Sequence, residues 1–130
     1  MRISLILIVL IVFIFLPSNA VSAEGLKDYQ TWLSVESQNS HLKIKAYCRN
    51  NTSEGVILRH QLKVQKSGES GRTNSFQSGS VYLQSQSEKC LSQLGLRVSL
   101  KDEYEIKLEV YKDGKLVTED FVVYSRGTWI

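Results

Sequence analysis

Within residues 94–98 and 104–110 apolar side chains recur at every second position. Leu94, Leu96 and Val98 form one run and Tyr104, Ile106, Leu108 and Val110 a second. After Lys112-Asp113-Gly114-Lys115 a third runs from Leu116 to Tyr124. A period of two puts these residues on one face of a strand, whereas a helix would need a period near 3.6. Asp113-Gly114 between two such runs is a favoured pair for a two-residue hairpin, whose central residues need positive φ. The pattern predicts three consecutive antiparallel strands with one apolar face. Such a meander cannot leave that face in water, so a second sheet must cover it.

The N-terminus carries a different signal. Met1-Arg2 precedes an apolar run from Ile3 to Leu16, which Pro17-Ser18 breaks, and Val21-Ser22-Ala23 supplies small residues. The run is short for a bilayer span, so residues 1–23 are expected to be a secretory signal peptide cleaved after Ala23, with Ala20 as second choice. An uncleaved anchor is the alternative. Residues 24–130 then form one small exported domain. The 16 Lys and Arg against 13 Asp and Glu give a formal net charge of +3, and Arg2 leaves with the leader. So mild a charge does not indicate a nucleic-acid partner.

The remaining strands follow in order. Residues 29–36 alternate, with Trp32 on the polar side; residues 41–49 alternate with Lys43, Lys45, Tyr47 and Arg49 outward. Residues 56–65 place Val56, Leu58, His60, Leu62 and Val64 on one face. Residues 73–77 read as one short exposed strand, followed by a connection through Gly79. Seven short strands with turn signals about every 8–12 residues predict an all-β fold, a seven-stranded immunoglobulin-like β-sandwich. Tyr104 opens the sixth strand, where such sandwiches place a tyrosine corner. The second and fifth strands are antiparallel neighbours in that topology.

Cys48 and Cys90 sit in an exported chain, where disulfides persist. Strand parity puts Cys48 with Leu42, Ile44 and Ala46, and Cys90 with Leu94, Leu96 and Val98, so a bridge between them is expected. It would close a loop of about 43 residues and contribute about 4 kcal/mol in the chain-entropy picture. The alternatives are metal ligation, for which no His partner stands out, and redox chemistry, for which the Cys-x-x-Cys spacing is missing.

Catalysis has little support. No Gly-x-Ser-x-Gly elbow, phosphate loop or His-Glu-x-x-His motif occurs, and neither His41 nor His60 has a catalytic spacing. No catalytic residue, metal or cofactor is expected. Glu103, Glu105 and Glu109 share a strand face, with Arg59 and Lys63 as cross-strand partners. The other sheet is less balanced. Lys43, Lys45 and Arg49 on the second strand join Lys89 and Arg97 on the fifth, with no acid facing them on either strand. These charges either protect a sheet from aggregation or form a basic face for a polar or acidic polypeptide.

Several segments resemble a known family. Ser70-Gly71-Arg72-Thr73 with Gln77-Ser78-Gly79 is similar to a segment of CsgH-type curli assembly proteins. Leu94-Gly95-Leu96-Arg97-Val98, Tyr104 and Asp113-Gly114-Lys115-Leu116-Val117 are similar to that family's C-terminal half. The resemblance runs from Leu33 to about Val123. It implies an immunoglobulin-like periplasmic chaperone, related to CsgC, that keeps curli-type amyloid subunits from polymerising before secretion. It also implies a monomer, without enzymatic activity and off the membrane once the signal is cleaved. The Cys-x-Cys motif of the CsgC branch is absent here. Lys43, Lys45, Arg49 and Arg97 are the expected client contacts, with Arg72 on a second candidate edge. The alternative is an exported binding module of another kind, such as an enzyme inhibitor or a fibre accessory protein.

Overall fold

The structure, a computed structural model, describes residues 27–69, 71–125 and 128–129. The expected signal peptide and its cleavage after Ala23 lie outside the described residues. Among those residues no helix is long and apolar enough to cross a membrane. Seven long strands follow one another: β1 (Tyr29–Gln38), β2 (His41–Asn50), β3 (Val56–Gly68), β4 (Gly71–Leu83), β5 (Glu88–Arg97), β6 (Asp102–Lys112) and β7 (Lys115–Ser125). A two-residue β8 (Thr128–Trp129) adds to β7. They make two antiparallel sheets, β1-β2-β5 and β4-β3-β6-β7-β8. The all-β sandwich expected from the sequence is the fold observed.

The inward faces supply one core. Leu42, Ile44, Ala46 and Cys48 from β2 meet Leu58, Leu62 and Val64 from β3 and Ile106, Leu108 and Val110 from β6. Burying an aliphatic side chain of this size contributes roughly 1.5–3 kcal/mol. The expected β6–β7 hairpin is present. Asp113 and Gly114 have φ of 51° and 79° and join Lys112 to Lys115, the twist that matches the flanking strands.

Three expectations change. The C-terminal third is not a meander, because β5 pairs with β2 and the chain then crosses to the other sheet. At that crossing Ser99 donates its backbone N–H to the Tyr104 hydroxyl at 3.0 Å, which is the expected tyrosine corner. Alternation within β5 and β6 shows one buried face on each but not which sheet that face belongs to.

The second change is β4. It is a full strand of 13 residues, not a short one, and it lies beside β3 rather than beside β5 as in the constant-type immunoglobulin arrangement. A tight turn from Gly68 to Gly71 causes this. A side chain at Gly68 would collide with Asp102, and Gly71 has φ of 99°. With the turn so short, β4 has to fold back along β3.

The third change concerns the cysteines. The β2–β5 register slips between Ala46 and Tyr47, so that Ala46 faces Ser92 but Tyr47 faces Cys90. Leu91 is the extra residue of this bulge, and one extra residue reverses the face of everything beyond it. Cys48 is fully buried, Cys90 is exposed, and both are free thiols. The same slip turns Lys89 off the outward face. It pairs with Cys48 and reaches the Tyr82 carbonyl oxygen at 2.9 Å.

Asn50 ties the loop after β2 to the core. Fully buried, it donates to the Glu54 and Leu83 carbonyl oxygens and accepts from the Thr52 N–H and hydroxyl. Asn50→Ala leaves buried partners unpaired and is expected to cost about 2 kcal/mol in denaturant unfolding. In a thiol-labelling assay Cys90 should react in the native state. Cys48, whose pKa burial raises to about 11, should react only after unfolding. No Cys48–Cys90 bond should form under oxidation while the fold holds.

Candidate functional site: the outward faces and edges of the two sheets

Along the β1-β2-β5 sheet the outward side chains stand in rows. These are Gln30–Arg49–Glu88, Trp32–Tyr47–Cys90, Ser34–Lys45–Gln93, Glu36–Lys43–Gly95 and, at the end, Gln38–His41–Arg97. The ladder thus brings Lys43, Lys45, Arg49 and Arg97 onto one face, as alternation predicted. The face is less one-sided than expected. Glu88 lies 4.0 Å from Arg49, and Glu36 stands opposite Lys43. β5 begins at Glu88, and this places an acid on the ladder. Arg49 also donates to the Asn51 side-chain oxygen at 2.9 Å. Lys43, Lys45 and Arg97 form no ion pair among the described residues, and of these Lys45 and Arg97 have no acid opposite them on the ladder.

Trp32 and Tyr47 stack in the middle of this face, with centroids 5.5 Å apart and planes 11° from parallel. Sequence alternation placed Trp32 outward but left it without a partner, because the β1–β2 register depends on the turn at Asn39-Ser40. The observed register sets the two rings directly opposite.

The outward face of the larger sheet is different. Lys63 meets Glu109 at 2.6 Å and Lys107 meets Glu119 at 3.6 Å. The expected Lys63 partnership holds, whereas Arg59 stands beside Tyr111. Ile57, Phe76 and Phe121 are 68%, 67% and 56% exposed. Phe76, Lys63, Lys107 and Phe121 form one cross-strand row. These apolar residues fall out of phase with the core set of their strands, a signal present in the sequence but masked by the stronger inward pattern. Arg72 lies on β4 in this sheet, opposite Ser67. The five basic residues singled out from sequence are therefore not one patch.

His60 is buried on the inward face, its pKa lowered by burial, and stands opposite Gly79 and Val110. Among the described residues no three His, Cys, Asp or Glu side chains are placed to hold a metal ion.

The sheets differ in how their edges are closed. On β1 the Leu33 N–H donates to Asp120 of β7 at 3.0 Å, and Thr31 and Thr118 share a hydroxyl hydrogen bond. On β5 the bulge interrupts the ladder. On β4 the pairing to β3 runs from Val56–Leu83 to Gly68–Gly71 without a slip, and residues 71–78 are all exposed.

No protein-family model matches the sequence, and no curated protein matches it by sequence. Solved structures do. The chain superposes on the E. coli curli protein CsgC with a TM-score of 0.61 and 19% identity, over 72% of this chain and 96% of that one. It superposes on the R. palustris protein CsgH with a TM-score of 0.54 and 15% identity, over 72% of this chain and 89% of that one. A putative β-galactosidase from Bacteroides fragilis matches at a TM-score of 0.50 and 14% identity, over 73% of this chain but only 16% of the enzyme. At these identities the likeness is one of fold.

Lys63 holds the Glu109 carboxyl below the usual carboxylate range. A depressed folded-state pKa contributes stability that is present above the unfolded value of about 4.3 and is lost as pH falls through the folded value. Replacing Lys63 by Met should therefore flatten the acid side of the stability profile below about pH 4.5 in urea titrations. An unchanged slope would show that the pair contributes nothing.

Proposed function

We propose that this chain is an exported, periplasmic, non-enzymatic chaperone of a curli-type system, which binds amyloid subunits transiently and delays their polymerisation. The observation that carries the reading is the near full-length likeness to CsgC and CsgH. Those chains are matched almost end to end, whereas the glycosidase is matched over a small part. The physical chemistry of the surface agrees. Amyloid grows by adding strands about 4.7 Å apart to an open edge and by closing dry side-chain interfaces. A β-protein that meets such a client must not become a template itself. Outward lysines and arginines serve that end, because burying an unpaired charge in a dry interface is costly.

On this reading Lys45 and Arg97, with Lys43 and Arg49 partly neutralised beside them, meet carboxylates or polar groups of the client. The Trp32–Tyr47 stack offers a flat apolar surface between them. The contact is weak by construction, since exposed charge pairs contribute about 0–1 kcal/mol each. The protein acts as a monomer, without cofactor, and separates from its client again.

The test is polymerisation of a purified curli-type subunit, timed by dye fluorescence, with the mature protein added below stoichiometry. The parent should lengthen the lag. Lys45→Ser with Arg97→Ser should shorten it toward the untreated value, more than Lys43→Ser with Arg49→Ser. A lag unaffected by the parent would sink the chaperone reading and favour an exported binding module of another kind. Equal lags for parent and both double variants would remove the basic face from the mechanism.

A further inference from the structure

Among the described residues the longest regular edge, that of β4, is also the least guarded. In an antiparallel ladder, alternate residues turn their main-chain N–H and C=O toward the paired strand and the rest turn them away. The two-residue turn closed by the Gly68–Gly71 pair makes Gly71 face β3. Arg72, Asn74, Phe76, Ser78 and Ser80 then point their main-chain groups outward, in phase with Tyr82. Lys89 fixes that phase, since its ammonium caps the Tyr82 carbonyl oxygen at 2.9 Å on the open side. The edge is thus closed at its C-terminal end and open over residues 72–80.

The usual protections are missing there. Edge strands are blunted by proline, by bulges, by brevity or by charged side chains. β4 has 13 residues, no proline, no register slip and one charged residue, Arg72. Ser92 from β5 hydrogen-bonds the Gln77 side chain, which leaves the main chain of the edge uncovered. At residues 72–80 the strand is long enough to receive an extended peptide of roughly 30 Å.

The two strands at this edge carry charge of one sign, although Lys63 is already paired with Glu109 of β6 and Glu69 lies in the turn before β4. β3 and β4 carry Arg59, Lys63, Lys66 and Arg72 and no carboxylate. Phe76 stands between Lys63 on its own sheet and the open side. A second copy of β4 laid antiparallel would bring the same cations together, whereas a carboxylate-bearing strand would meet them with opposite charge.

We infer that the open edge of β4 over residues 72–80 is a strand-addition site for an extended, carboxylate-bearing segment of a client polypeptide. Main-chain hydrogen bonds from Asn74, Phe76 and Ser78 hold the segment and alternate side chains select it. Arg59 and Arg72 receive its acids, and Phe76 receives an apolar side chain between them. The identity of the client as an amyloid subunit rests on the chaperone reading; the edge site does not. Together they describe a cap, in which a strand seated on β4 no longer offers that side to the next subunit.

Proline separates the site from the fold. At Ser78 the N–H points outward, so Ser78→Pro removes a donor to the client without removing a bond to β3, a position edge strands tolerate. At Gln77 the N–H points inward, so Gln77→Pro weakens the fold and serves as the control. The probe is a capped synthetic peptide of alternating Glu and Val, long enough to span residues 72–80, alongside its Lys-for-Glu counterpart. Hydrogen exchange read by NMR on the parent should slow about tenfold at the amides of Asn74, Phe76 and Ser78 with the Glu peptide. The Lys peptide should leave them unchanged. Ser78→Pro should keep the parent melting temperature and lose the slowing at Asn74 and Phe76; Asn74→Pro is the second variant should Ser78→Pro lose stability. Equal slowing with both peptides, slowing elsewhere, or none at all would overturn the inference. If the Glu peptide protects β4 while the parent leaves subunit polymerisation unchanged, the edge site stands and the chaperone reading falls.

Discussion

Two half-apolar sheets cover each other, and every other feature of this molecule follows from that mutual burial. Neither sheet is stable alone, because each would leave a row of Leu, Ile and Val in water. The chain passes between sheets after β2, after β4 and after β5, and the first and last of these passages are pinned by polar groups placed where the core ends. Asn50, buried with all its side-chain hydrogen bonds made, holds the first. The Tyr104 hydroxyl accepting from Ser99 holds the last. With the inward faces committed in this way, only the outward faces and the edges are left for function.

Those outward surfaces divide the work. The β1-β2-β5 sheet carries cations around a stacked Trp32–Tyr47 pair, with Glu36 and Glu88 trimming the field. The larger sheet pairs its charges internally through Lys63–Glu109 and Lys107–Glu119 and leaves Phe76 and Phe121 exposed beside them. The edges are unequal as well. β1 is tied across to β7 by Asp120 and Thr118, while β4 keeps an unbroken open side.

A single inserted residue reorganises the chemistry of β5. With Leu91 bulged, the thiols that simple alternation placed together end on opposite faces. Cys48 becomes a small apolar core residue, its thiol held protonated by burial. Cys90 becomes a surface thiol in the row of Trp32 and Tyr47. The stability of the sandwich therefore rests on packing and on its polar ties rather than on a covalent staple.

The sequence alone determined what depends on nearest neighbours along the chain. Alternation gave six of the seven long strands and most of their buried faces, Asp113-Gly114 gave the hairpin, and the position of Tyr104 gave the corner, because each is set by the geometry of a few consecutive residues. The basic face was legible for the same reason, since Lys43, Lys45 and Arg49 share one strand. Tertiary structure decided what depends on register between strands. It set which sheet received β5 and that β4 folds back along β3. It also set that Glu88 meets Arg49 and that Cys48 and Cys90 point apart. A strand's own pattern repeats every two residues and is blind to its partner. One bulge or one tight turn, elsewhere in the chain, therefore outweighs it.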